Sequence, residues 1–362
     1  MKRKFNFPVI AVILALAASN LSCTATGIKI NTATPHLETS QTGENIPTVV
    51  AQATAEQAQN LPAGPPTAGS TPEEAAAGAT TAKTPITATS ESSSTVLKPC
   101  AEKVCIQDIP SLLRRPVGGE GRVTVDPSYR FGEFRKNSRY PNPGVEFLNS
   151  TGTPVVAAAA GKVLVAGTDN QIAYARNLNQ YGNLIVLEHS LPGFEQPVFT
   201  LYGHLSEILI QEGDSVEEGQ EIGKVGATGN IRGSVLHFEV RVGENSYEGV
   251  RNPELWLATR QDENGQTLGA LAGRIVDNQG NIQDIRNLVV ERLDASGQAV
   301  VGRTYLRTYG GESLRGKSPW EESFGIGDLI PGTYKLSYLL NGYQAQLLEV
   351  HAGKLTLITI VQ

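Results

Sequence analysis

The chain has 362 residues, and 30 Lys+Arg against 36 Asp+Glu leave a formal net charge of -6 at pH 7. That length accommodates two ordinary domains with extended segments. The mildly acidic balance, with no long basic run, argues against nucleic acid as a partner, because phosphate binding needs a concentrated positive field.

The N-terminus reads Met1-Lys2-Arg3-Lys4, then an apolar run Val9–Ala18, then small and polar residues up to Cys23. A basic head with so short an apolar run suits a secretory signal over residues 1–23 better than a spanning helix. The chain is therefore expected to be exported, to a bacterial envelope or beyond it. Asn20-Leu21-Ser22-Cys23 resembles a lipobox, which would make Cys23 a lipid-bearing membrane anchor. Asn20 stands where such boxes carry Leu, and plain cleavage nearby or an uncleaved anchor are the alternatives.

Residues 24–98 are rich in Ala, Thr, Pro, Gly, Ser and Gln and hold no aromatic residue. Such a segment buries too little apolar surface to offset chain entropy, so it is expected to be a disordered linker. As a coil of about 70 residues it would span on the order of 45 Å. Its His36 has no evident role.

Residues 99–128 form a lead-in segment in which Arg114-Arg115-Pro116 blocks a helix. Cys100 and Cys105 are expected to close a local disulfide, since an exported chain meets an oxidising compartment. A metal site there would need more ligands nearby, and none is present.

Between residues 129 and 260 the alternating runs Lys162–Ala166, Asn183–Glu188 and Val198–Tyr202 predict strands. Gly152-Thr153-Pro154, Gly161 and Tyr181-Gly182-Asn183 supply turns. Two further short strands fold about glycines between Glu212 and Gly223, and no helical period precedes Pro253–Leu257. The fold class is all-β, with an antiparallel sheet. After the polar joint Gln261–Gly265, residues 268–362 predict six strands: 271–276, 288–293, 303–308, 333–340, 344–350 and 355–361. Short strands at that spacing suggest a small β-sandwich. Phe324 to Tyr334, with Pro331-Gly332, resembles the turn-strand signature of transthyretin-like, carboxypeptidase-regulatory-type domains, which implies binding or spacing. His351 follows a strand and is taken as structural.

Four blocks together resemble the lysostaphin/LytM-type zinc endopeptidases of peptidoglycan. They are Gly144-Val145-Glu146-Phe147; Gly152–Val155 through Gly161–Val163; Tyr202-Gly203-His204-Leu205; and Gly219–Gly223 through Leu236-His237-Phe238-Glu239. Asn252-Pro253 closes the pattern, and the resemblance covers about Tyr129 to Leu257. It implies one zinc held by a His, an Asp four residues on, and the second His of a His-x-His pair. Two further histidines orient water or stabilise the oxyanion. Such a zinc lowers the pKa of a bound water and polarises the scissile carbonyl.

Carried over by position, the set is altered. Asn142 holds the first ligand position and Glu146 the second; His237 keeps the third and His204 keeps the Tyr-x-His-Leu histidine, its catalytic role holding only if the chain is active. Val235 replaces the first His of the final pair. Glu keeps the carboxylate on a longer arm, Asn offers only a neutral amide, and Val carries no proton; losing one positioned proton-transfer group costs about 10²–10⁴-fold. Without a metal, His204 and His237 are expected to persist as cleft-wall residues bonded to strand carbonyls rather than as catalysts, with His189 structural and Glu239 facing a neighbouring strand. A biotinyl or lipoyl carrier role is disfavoured because Lys224 lacks the exposed hairpin setting.

The leading expectation is an exported envelope protein with a degenerate peptidase-like domain, doubtfully loaded with zinc, that binds peptidoglycan or regulates a cell-wall hydrolase. The alternatives are an active zinc endopeptidase cutting peptidoglycan cross-link peptides, and an adhesion or carbohydrate-binding role for the C-terminal sandwich.

Overall fold

The structure is a computed structural model and describes residues 100, 102–135, 139–310, 314 and 319–362. The signal segment 1–23, Cys23 and the linker 24–98 lie outside the described residues. Every regular element of any length is a strand, as the alternating pattern requires.

The first strand is β1 (Val104–Asp108). The central stretch supplies β2 (Val145–Phe147), β3 (Pro154–Val156), β4 (Gly161–Thr168), β5 (Asn183–His189) and β6 (Val198–Gly203). It continues with β7 (Leu205–Ile208), β8 (Ser215–Val216), β9 (Glu221–Val225), β10 (Leu236–Val242) and β11 (Val250–Arg251). The last third supplies β12 (Gly269–Val276), β13 (Leu288–Leu293), β14 (Val300–Leu306) and β15 (Phe324–Leu329). It ends with β16 (Gly332–Leu339), β17 (Tyr343–Val350) and β18 (Lys354–Val361).

A seven-stranded sheet in the order β11-β10-β6-β5-β4-β8, with β2 also on β10, is antiparallel throughout and forms the floor of the central region. The small sheet β3-β9-β7 stands beside it. Successive residues of β5 and β6 point to opposite faces, and both faces are covered. Ile185, Leu187 and Tyr202 join one apolar cluster, while Leu184, Val186, Phe199 and Leu201 join another.

The C-terminal strands form two four-stranded sheets, β1-β18-β12-β15 and β14-β13-β16-β17, around Leu271, Leu288, Val290, Phe324, Leu336 and Ile358. Within them β12 and β18 run parallel. The unexpected member is β1, which pairs with β18 from Val104↔Ile358 to Asp108↔Lys354. The segment read as a lead-in thus begins with an edge strand of the sandwich, and the central region is inserted between β1 and β12. Five residues without a marked apolar alternation do not announce that partner locally. Cys100 and Cys105 are joined by a disulfide at its start, their Cα atoms 5.7 Å apart.

The two regions share a core: one cluster contains Val145, Leu236 and Trp256 together with Ala270, Ala272, Leu355 and Leu357. Polar ties cross the same boundary. Glu254 pairs with buried Arg130 and accepts from the Gly327 N–H at 3.0 Å. Asn252 donates to the Gly325 carbonyl at 3.1 Å. Asp328 accepts from Arg115 at 2.6 Å and from Arg260 at 3.0 Å.

Candidate functional site

Strand register makes the site. His237 on β10 lies opposite Glu146 on β2 and opposite Gly203 on β6. Directly opposed residues project to the same face of a sheet, so the carboxylate and the imidazole meet, with Glu146 Oε1 3.1 Å from His237 Nδ1. The loop before β2 reaches β10 only because Gly144 has no side chain: a Cβ there would lie 2.3 Å from the Phe238 carbonyl oxygen.

His204 follows β6 with φ +66°, a left-handed conformation that a non-glycine residue rarely adopts. Its N–H donates to the Tyr181 carbonyl at 2.8 Å. Its Nδ1 is 2.8 Å from the Thr228 carbonyl, which can only accept, so Nδ1 carries the hydrogen and Nε2 keeps the lone pair. Burial, reinforced by charge on neighbouring His237, pushes the His204 pKa down to about 4.

Behind the site runs a buried relay of charge. His237 Nε2 is 2.9 Å from Glu239 Oε1, and Arg241 Nε donates to Glu239 Oε2 at 2.8 Å. Arg241 also donates to Asn245 Oδ1 and to the Tyr174 carbonyl. The Tyr181 hydroxyl donates to Glu239, and its ring stacks on His237 at 5.3 Å. Burial alone would raise the Glu239 carboxyl; the Arg241 guanidinium overrides it and holds the group below its ordinary value. Burial likewise opposes charge on His237, but the Glu146 and Glu239 carboxylates outweigh it and push that imidazole up to about 9.

At the mouth, Arg135 lies with Nη2 3.6 Å from Glu146 Oε1 and its guanidinium carbon 4.3 Å from the centre of the Tyr129 ring. Asn142 is buried with its amide engaged: Nδ2 donates to the Tyr129 carbonyl at 3.0 Å, and Oδ1 accepts from the Gly144 N–H at 3.2 Å. Val235 is buried at the head of β10, its N–H on the Gly226 carbonyl.

Of the ligand positions carried over by resemblance, Glu146 and His237 come together, while the Asn142 amide is bonded to the Tyr129 carbonyl and the Gly144 N–H. His204 joins the pair: one donor atom each from Glu146, His204 and His237 lie within 4.8 Å of one another. Glu146 Oε2 is buried with no hydrogen-bond partner. Two imidazoles and a carboxylate are ordinary zinc donors, so the residues suit the metal in kind. Sequence reasoning missed Arg135, Tyr181 and Arg241. The last had a signal, since His237, Glu239 and Arg241 alternate on one face of an otherwise apolar strand.

Residues 140–248 match the profile of Peptidase family M23. The chain carries an M23 peptidase domain. Over 155 residues it is 33% identical to the peptidoglycan DD-endopeptidase ShyB of Vibrio cholerae, covering 40% of this chain and 33% of that one. Over 110 residues it is 33% identical to the murein hydrolase activator NlpD of Salmonella dublin, covering 30% and 26%. The solved catalytic domain of lysostaphin from Staphylococcus simulans is 32% identical across 34% of this chain and 86% of that domain, with a TM-score of 0.30. The chain thus spans a third or less of the length of these two curated relatives.

Proposed function

We propose that this chain is an exported cell-envelope protein whose M23 domain binds peptidoglycan peptide, or a hydrolase that acts on it, without cutting. The observation carrying that reading is the state of Asn142. Its amide is spent on Tyr129 and Gly144 and holds its own loop together, where the resemblance expects an imidazole on zinc. Val235 compounds the loss, because a buried isopropyl group can neither give nor take a proton. The names of the relatives agree with a cell-wall setting and divide on chemistry, one being an endopeptidase and one an activator. The C-terminal sandwich, fused to the M23 domain through a common core, would hold the site in a fixed orientation.

A second reading is kept alive by one feature, the unpartnered Glu146 Oε2 beside His204 and His237. On that reading these three residues hold zinc. The metal would supply carbonyl polarisation and an acidified water, and His204 would double as a ligand.

Zinc content of the purified chain, followed by release of peptide from purified peptidoglycan, separates the two. The first reading expects no cleavage, and metal with cleavage recovered in an Asn142→His, Val235→His double variant. Cleavage by the natural chain that disappears in His204→Ala would overturn it.

A further inference from the structure

The most exposed member of the site is a cation. Arg135 presents a guanidinium to Glu146 at 3.6 Å with 42% of its side chain accessible, while the carboxylate is only 4% accessible. Its place is not accidental. The ring of Tyr129 lies flat beneath it at 4.3 Å. The residues just before it are pinned from both sides of the seam: Arg130 by Glu254, Phe131 by Tyr309 at 4.8 Å between ring centres, and Phe134 beneath the Arg307 guanidinium at 4.4 Å.

We propose that Arg135 tunes this site: it faces Glu146 from the solvent side and sets how strongly the Glu146–His204–His237 cluster takes a divalent metal. Two positive charges competing for one buried carboxylate repel each other, and partial burial lets that repulsion survive screening. A metal entering the cluster must displace the guanidinium or share Glu146 with it. Arg135 therefore acts as a positioning and selectivity residue, biasing the pocket against divalent metal whether the domain cuts or only binds. This rests on the three-donor geometry and not on the proposal of a non-cutting domain, so zinc content and cleavage can fail while the comparison below still decides.

The test is cobalt(II) titration of the full chain at constant pH and low salt, followed by visible absorption and equilibrium dialysis. The parent, Arg135→Gln, Arg135→Lys, Glu146→Gln and the double variant Arg135→Gln, Glu146→Gln are compared, with matched thermal midpoints as the control for folding. Arg135→Gln is expected to bind cobalt about tenfold or more tightly than the parent, and Arg135→Lys to stay within about threefold of it. Measured against Glu146→Gln alone, the gain should vanish in the double variant, and in the parent background it should shrink as salt is raised. Equal affinity in parent and Arg135→Gln, including no binding by either, would overturn the proposal. So would a gain shared by Arg135→Lys, or one that survives loss of the Glu146 charge.

Discussion

Glu254→Ala probes the seam between the M23 domain and the sandwich. The side chain is 2% accessible, and its Oε2 takes both the Arg130 guanidinium and the Gly327 N–H. Truncation strands a buried cation on one side and an N–H of β15 on the other. Breaking a buried pair from one end costs about 3–5 kcal/mol, so we expect a loss of about 4 kcal/mol. For a cooperative body of this size each kcal/mol moves the melting midpoint by about 2 °C, giving a fall of about 8 °C. Glu254 Oε1 and Arg130 Nε have no partners, so the pair is imperfectly satisfied, and an Arg130→Met, Glu254→Leu double variant should lose only about 1–3 kcal/mol, for the Gly327 N–H left without an acceptor. Calorimetry gives the midpoints. Fluorescence follows Trp256 and Trp320, whose rings are 6.0 Å apart across the shared core. A loss below about 1 kcal/mol for Glu254→Ala, or two separate unfolding transitions in the parent, would refute the reasoning.

His189 makes stability depend on pH. Burial lowers its pKa from 6.5 while the ring bonds the Ala160 carbonyl and the Thr200 hydroxyl. A group charged more readily in the unfolded chain favours folding fully above its unfolded pKa, and that contribution is lost as pH falls from about 6.5 toward the folded value. The urea midpoint of the parent should therefore fall more steeply between pH 7.5 and 5.5 than that of His189→Gln. Gly144→Ala places a Cβ 2.3 Å from the Phe238 carbonyl oxygen, forcing the Asn142 loop off β10; a loss of about 2 kcal/mol or more in urea unfolding is expected.

Much of the fold was legible because sheet residues alternate with period two and because turn glycines sit at fixed places between the strands. The blocks around Glu146, His204 and His237 led to the right region for the same reason. What stayed hidden depends on long-range register. The pairing of β1 with β18 joins opposite ends of the described chain, and no local pattern encodes it. His204 enters the donor cluster through a left-handed backbone turn that its neighbours in sequence do not reveal. Asn142 was legible as a substitution but not as the knot of its loop. Arg135 was invisible, since one of several basic residues in a loop becomes informative only when a buried carboxylate is found facing it.

The interrupted sandwich also has a consequence in time. Asp108 and Lys354, bonded across the β1–β18 ladder, are 246 positions apart. Chains are made from the N-terminus, so β1 must wait through the whole M23 domain before its partner exists. Until then it is a bare edge with unpaired N–H and C=O groups, open to pairing with any other strand. The last eight residues of strand therefore close the sandwich, and a truncation there leaves the first strand exposed as well.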